Sequence, residues 1–399
     1  AVHDLGKATP VFQAKAGYDI SDRIGCHIIN NIKASGMPMV EFKSFFAASK
    51  TPHALASQLL LEKYECDKSI SCIVGAHHGK PQTQQTLINN SIEMYNKNFY
   101  LDEKNSGWQD VQKEVIDIAL SLAGFKSLSD IPKANMVAQM ILSGLVIMTD
   151  WIASNEKYFP YMSIDDFLNY EVHNKEKKKK AWEKLEFTFP WEACNDWMYK
   201  DLYKERFGYR ANDMQMGIKN IVGDIDEPGI LILEAPMGCG KTEAALVAAE
   251  ILANKTGRTG IFFALPTQAT SNGIFKRVYR WLNSLMQDEE HSIKLAHGKA
   301  QFNEEYQALK IFKGSTNLSD CDDNDNAVGA IVHEWFEGQK KSLLADFVVG
   351  TIDQLLLSAL KHKHFMLRHL GLANKIVIID ECHAYDAYMN CYLQRALQW

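Results

Sequence analysis

The sequence has no CxxC pair, no internal repeat and no excess of positive charge, and each lack removes a class of protein. Its eight cysteines, Cys26, Cys66, Cys72, Cys194, Cys239, Cys321, Cys382 and Cys391, are scattered singly. That excludes a dense disulfide framework, argues against structural zinc and fits a reducing cytoplasm. A formal net charge of −6 excludes a uniformly basic nucleic-acid coat but leaves room for a local basic groove. No signal peptide opens the chain, and no apolar run is clean: MVAQMILSGLVIMTDWIA, 136–153, is interrupted by Gln139, Ser143 and Asp150. It reads as a buried helix of a soluble, cytoplasmic protein that makes no use of a membrane. The chain starts at Ala1 and stops at LQRALQW inside a helical pattern, so it reads as cut at both ends.

What is present suffices for two or more domains: 399 residues, 46% hydrophobic and 23% charged. From 1 to 165 apolar residues recur at helical spacing, as in HALASQLLLEKY and VQKEVIDIALSLAG, which predicts an all-α domain. Residues 166–206 are aromatic and lysine-rich, including KEKKKKAWEKLEF, and read as a linker region; the lysines are a solvated helix or a basic strip that touches phosphate. From 207 to 399 the β-rich runs GILILEA, TGIFFALP, DFVVGT and KIVIIDE alternate with helical stretches. That pattern predicts an α/β domain with a mostly parallel sheet. NLSDCDDNDNAVG, 317–329, fails as a calcium loop because Asp325 stands where the turn glycine belongs, and it reads as a flexible insertion.

APMGCGKT, Ala235–Thr242, lies between the apolar run ILILE and the helical run EAALVAAEILA. This is the strand, loop and helix context of a phosphate-binding loop. Gly238 and Gly240 let the backbone curl so that its N–H groups face a β-phosphate, Lys241 reaches the β- and γ-phosphates, and Thr242 reaches Mg²⁺. Downstream, KIVIIDECHAYD supplies Asp380 and Glu381 after a buried strand, one carboxylate to hold Mg²⁺ through water and one to activate the attacking water. ATP with Mg²⁺ is the expected ligand.

The DECH box and its companions, in order, resemble superfamily 2 helicases over 207–399. By that resemblance Gln215 in FGYRANDMQMGI reads adenine, while Thr267 in ALPTQATS, His297 in LAHGK and Thr351 in VGTIDQ face a nucleic-acid backbone. A threonine at a strand end is also a common helix cap. Such helicases carry a second RecA-like domain, and this sequence stops 19 residues after Asp380; it is read as lacking that domain, and with it full helicase activity.

At the other end His3–Asp4 forms the dyad of the HD metal-hydrolase superfamily, joined by His53, the pair His77–His78 and Asp150. Imidazoles and carboxylates in these numbers suit two transition metals, and one carboxylate such as Asp4 can bridge them. Lys7, one turn past the dyad, can steady a scissile phosphate or simply be an exposed lysine. HDLGK, HALAS, AHHGK and DWIAS, followed by GCGKTEAAL, VGTIDQLL and DECHAYDAYMN, resemble the signature helicase-nuclease of type I CRISPR interference, in its E subtype.

The resemblance implies an all-α HD nuclease domain (1–165), a linker region (166–206) and a first RecA-like P-loop domain (207–399). It implies two divalent transition metals (Mn, Co, Ni or Fe) sharing Asp4, with His53, His77 and His78 on one and His3 and Asp150 on the other; the family's histidine upstream of the dyad is absent. It implies metal-dependent nicking and degradation of single-stranded DNA, an ATP-driven motor, and as partners single-stranded DNA, the crRNA-guided Cascade complex and a phage-encoded inhibitor. The assigned catalytic residues are Asp4, Lys7 and Glu381. Two other readings compete: an HD nucleotide phosphohydrolase, and a non-catalytic, ATP-gated DNA- or protein-binding module.

Overall fold

The computed structural model describes residues 2–17, 23–102, 104–161, 170–285, 291–296, 300, 303, 306–307, 330–331, 334–336 and 340–398. His297 and the insertion 317–329 lie outside the described residues. The chain forms two compact units, one of residues 1–152 with 362–366, the other of residues 153–361 and 367–399.

The first unit is built of helices joined by turns and loops, with no strand among its described residues. Its centre is helix α1, His53–Lys63, in which every residue from Ala54 to Leu61 is buried. A helix this short is marginal in isolation; it holds its shape because neighbours cover each face. Leu60 is fully buried in this core with Phe99, Tyr100 and Trp108, a position where truncation to alanine costs about 2–5 kcal/mol. Helix α2, Lys68–Gly75, begins where Asp67 accepts the N–H of Ser69 at 2.9 Å. Helix α3, Gly107–Ala123, ends on Gly124 in the left-handed conformation. Buried Gln112 on α3 donates to the Ala8 carbonyl at 2.8 Å, tying the first residues of the unit to its core.

Helix α4, Met136–Ala153, departs from expectation. It buries only a stripe, Ser143, Gly144, Ile147 and Ile152, while Met136 and Val137 are 60% and 62% exposed and Leu142 and Leu145 about 40%. Among the described residues it is the one helix long and apolar enough to cross a membrane. The expectation of a buried helix failed because apolar content does not say which face is covered. The small pair Ser143–Gly144 forms the packing stripe, and larger side chains are left outside.

The second unit is an α/β sandwich. Strands β1 (Ile261–Leu265), β2 (His291–Ala296), β3 (Ala330–Ile331), β4 (Phe347–Thr351) and β5 (Ile376–Ile379) form a sheet in the order β3-β2-β4-β1-β5. All four described pairings are parallel, with Phe262 opposite both Val348 and Val377. The central strands β1 and β4 are buried along their whole length, as continuous apolar runs in a covered parallel sheet should be.

Three of the four expected β runs form strands. GILILEA does not: residues 229–235 join no helix or strand, with Leu231 and Leu233 half-buried and Ile230 and Ile232 73% and 82% exposed. The alternation has a strand's period, but no ladder partner completes it. The stretch 187–203, read as part of a linker, packs into this unit. Trp191 and Ala193 join the sheet core, and Thr188 donates to Asp346 at 2.9 Å. Buried aromatic residues spaced along an irregular segment explain why helical or strand periodicity missed it.

Two helices flank the nucleotide loop. Helix α5, Leu202–Phe207, is bolted to α7, Lys241–Thr256, by a two-pronged ion pair from Arg206 to the fully buried Glu250 at 2.7 and 3.1 Å. Between them in sequence lies α6, Asp213–Gly223, opened by a reciprocal capping box of Asn212 and Gln215.

Candidate metal centre and nucleotide site

Four short segments of the first unit bring six side chains together. Asp4 stands at the head of a tight turn, Leu5–Lys7, laid against α1. The close approach depends on Gly6. Its N–H donates to Ser57 Oγ at 2.7 Å, and a Cβ there would lie 2.1 Å from the His53 carbonyl oxygen. His53 opens α1, His77 and His78 follow α2, and Asp150 lies near the end of α4.

Asp4 faces in two directions. Its Oδ1 lies 3.4 Å from His53 Nε2 and 3.8 Å from His77 Nε2, while its Oδ2 lies 3.3 Å from His3 Nε2 and 2.7 Å from Lys7 Nζ. His3 Nε2 is also 3.4 Å from Asp150 Oδ1. His53 Nε2 sits 3.3 Å from His77 Nε2 and 2.7 Å from His78 Nε2. The side chains thus fall into two groups able to hold a cation, His53–His77–His78 and His3–Asp4–Asp150, with Asp4 touching both. The donor set of imidazole and carboxylate suits divalent transition metals. His77 shows the supporting contact such a ligand needs: its Nδ1 donates to the Val74 carbonyl at 2.7 Å, which turns the Nε2 lone pair inward.

The two groups differ electrically. Hydrogen bonds to Asp150 and then Asp4 push His3 up to about 9. Burial, with His78 close by, pushes His53 down to about 4, and burial likewise lowers His77. Burial opposes the charge on Asp4, but hydrogen bonds from His3 and Lys7 outweigh it and hold the carboxylate well below its usual range. His53 and His77 are therefore neutral and ready to ligate near pH 7, whereas His3 holds a proton.

In the second unit the loop Ala235–Thr242 leads into α7. Gly238 and Gly240 adopt φ of +77° and +85°, the left-handed region where glycine alone is unstrained. Lys241 Nζ donates back to the Ala235 carbonyl at 2.8 Å, closing the loop on itself. Asp380, at the end of β5, accepts the Glu381 N–H at 2.9 Å. Burial and the neighbouring Glu381 raise its pKa, against the pull of Lys241 and Arg277. Arg277 is ion-paired with Glu243 in the first turn of α7, so a second cation besides Lys241 acts on Asp380. His383 lies 3.2 Å from Glu381.

Residues 1–159 match the family described as Cas3, HD domain, and residues 209–396 match the type III restriction enzyme, res subunit, family. A CRISPR-associated nuclease/helicase Cas3 of Streptococcus thermophilus is 43% identical over all of this chain. The chain belongs to the Cas3 family. A Thermus thermophilus Cas3 endonuclease/helicase is 31% identical over the whole chain, which spans 41–43% of the length of these two relatives. Among solved structures, T. fusca Cas3 with ATP superposes with a TM-score of 0.74 at 24% identity, covering all of this chain and 42% of that one. A chain of a CRISPR RNA-guided surveillance complex, pre-nicking, reaches 0.58 at 23%, covering all of this chain and 38% of its own. These likenesses establish the fold: a helical HD domain and an α/β helicase domain.

Within this Cas3 chain, His3, Asp4, Lys7, His53, His77, His78 and Asp150 converge at one place, and Gly238, Gly240, Lys241 and Thr242 share one loop. Gln215 reaches the same loop by an unexpected contact. It is buried, and its amide donates to the Gly240 carbonyl at 3.2 Å. Thr267 precedes the helix Gln268–Leu285 (α8), and its hydroxyl accepts the Thr270 N–H at 3.2 Å, a cap. Thr351 is buried at the end of β4, whereas Thr267 is exposed. Sequence reasoning missed Gly6, Ser57 and Val74, which place the ligands, and Arg277. Only Gly6 had a signal, a glycine inside HDLGK.

Proposed function

We propose that this chain carries the nuclease centre and the ATP-binding half of the motor of a Cas3 enzyme that degrades single-stranded DNA in type I CRISPR interference. The observation that carries the reading is Asp4: one carboxylate whose two oxygens face two separate cation-sized groups, in the same chain as a phosphate loop. When bound, two transition metals supply a Lewis-acidic clamp for a phosphodiester. Asp4 would be shared between them, with His53, His77 and His78 holding one and His3 and Asp150 the other. Lys7 stands beside Asp4 Oδ2, where it can steady a phosphate oxygen. At the second site Lys241, now bonded to the Ala235 carbonyl, would meet phosphate oxygens, Thr242 and Asp380 would hold Mg²⁺, and Glu381 would serve as the base toward water. The likeness to a chain of a CRISPR RNA-guided surveillance complex supports recruitment by such a complex; the E subtype, a cytoplasmic location and Mn, Co, Ni or Fe as the metals are part of the proposal.

The test is cleavage of circular single-stranded DNA with Mn²⁺ or Co²⁺ and no ATP, by the full-length protein and its Asp4→Ala variant. Cleavage that disappears in the variant supports the nuclease. Consumption of deoxynucleotides with DNA left intact turns the site into a phosphohydrolase, and inactivity toward both leaves a binding module.

A further inference from the structure

Asn212 has no part in the phosphate-loop pattern, yet it touches the loop. Its Oδ1 accepts the N–H of Gln215 at 2.9 Å, capping α6, and Gln215 returns the bond by accepting the N–H of Asn212 at 3.1 Å. Each of the two side chains then has an amide group to spare, and both point the same way. Asn212 Nδ2 donates to the Cys239 carbonyl at 3.0 Å, and Gln215 Nε2 donates to the Gly240 carbonyl at 3.2 Å. The two acceptors are consecutive, at the last step of the loop before α7 begins at Lys241.

A trans peptide is planar, with its C=O and the following N–H antiparallel. Holding the Cys239 carbonyl toward α6 therefore turns the Gly240 N–H the opposite way, and holding the Gly240 carbonyl does the same for the Lys241 N–H. Those N–H groups, at the positive end of α7, are the donors a phosphate would meet. We propose that Asn212, acting with Gln215, is a positioning residue that aims the Gly240 and Lys241 amides at the β-phosphate. The inference rests on the reading of the loop as an ATP site.

The surroundings fit a rigid clamp. Gln215 is 1% exposed, and the buried Tyr203 of α5 donates to its carbonyl at 3.1 Å. Gly240 needs to be glycine on two counts. Its φ is +85°, and a Cβ there would lie 2.4 Å from Gln215 Nε2. The Cys239 thiol donates to the Pro236 carbonyl at 2.8 Å, closing the other side of the turn. The loop is thus held from α6 before any nucleotide arrives, and the entropy of ordering it is already spent.

Asn212→Ser separates the two duties, because serine caps a helix as well as asparagine but has no amide to reach Cys239. In the full chain with Mg²⁺, the dissociation constants for ATP and ADP should both rise about fivefold to tenfold, as expected for one lost orienting hydrogen bond. The melting temperature without nucleotide should stay at the wild-type value. Gln215→Met should weaken both nucleotides further, and the double variant should lose less than the sum of the two, since both act on one turn. Unchanged ATP and ADP affinity in Asn212→Ser overturns the inference. So does a loss matched by a fall in melting temperature without nucleotide, which assigns Asn212 to the helix cap alone. A wild-type chain that binds no nucleotide overturns the phosphate-loop reading itself, and the clamp with it.

Discussion

In the helical unit the candidate site is made of side chains gathered from residues as far apart as His3 and Asp150, whereas in the α/β unit it is built mainly on the backbone of the eight residues 235–242, with the side chains of Lys241, Thr242, Asp380 and Glu381 added to it. The first arrangement is built by packing. Gly6 must lie against α1 and Val74 must hold His77 before Asp4 can face both groups. The second is built by local conformation, two left-handed glycines and a helix start, with a neighbouring helix holding the carbonyls. A site made of side chains is therefore exposed to core mutations far from it, and a site made of backbone is exposed chiefly to changes in its own turn.

The sharpest way to break that comparison is to remove one anchor from each site. Asp4→Ala should abolish Mn²⁺ binding, read by electron paramagnetic resonance, and reduce cleavage at least about 100-fold, with ATP affinity untouched. Lys241→Ala should do the reverse; a variant that damages both sites would show that they are not independent. Next in size is the Arg206–Glu250 pair. Arg206→Met strands a buried carboxylate on α7 and should cost about 3–5 kcal/mol in urea unfolding, while Mn²⁺ binding by the helical unit stays normal.

A smaller effect separates the two metal groups by pH. A metal at His3 must displace a proton held up to about 9, so affinity there should climb as pH rises from 6.5 toward 9. The His53 group, with His53 neutral above about 4, should load fully at pH 7. Mn²⁺ titrations at pH 6.5, 7.5 and 9 should show one tight site at the lowest pH and two at the highest. The sign for the metal-free fold runs the other way: a raised histidine adds stability that is complete below its unfolded value near 6.5 and is lost as pH climbs through 9. The melting temperature should fall over that window, and a rise would contradict the His3 contacts. The smallest effect belongs to Thr267→Ala, which should cost about 1 kcal/mol of stability as a lost cap. A marked loss of single-stranded DNA affinity at unchanged stability would support its assignment to the nucleic-acid face.

The parts legible in the sequence were those whose chemistry is written in residue type or spacing. His3–Asp4, His77–His78 and GCGKT announce ligands and phosphate donors wherever they fold. The helical first half and the alternating second half followed from periodicity. What stayed hidden depends on which surface meets which. Apolar content could not tell that α4 would bury Ser143 and Gly144 and leave Leu142 and Leu145 outside. The period of ILILE could not supply a ladder partner. The roles of Thr267, Thr351 and Gln215 came from resemblance, and in the structure all three are engaged or enclosed by the protein itself. Even a correct family leaves such assignments open, because a hydroxyl or an amide bonds to whatever group folding brings nearest.

The outer side of β5 has a practical consequence. It has no neighbouring strand among the described residues, its Val377 is 37% exposed, and the Ile230 and Ile232 side chains project into solvent elsewhere in the same unit. A strand with an open row of amides and carbonyls is a template for another copy of itself. Purified in isolation, this chain should scatter more light as it is concentrated. Dilute, cold, low-salt handling that disfavours apolar association should preserve it better than any change to its ligands.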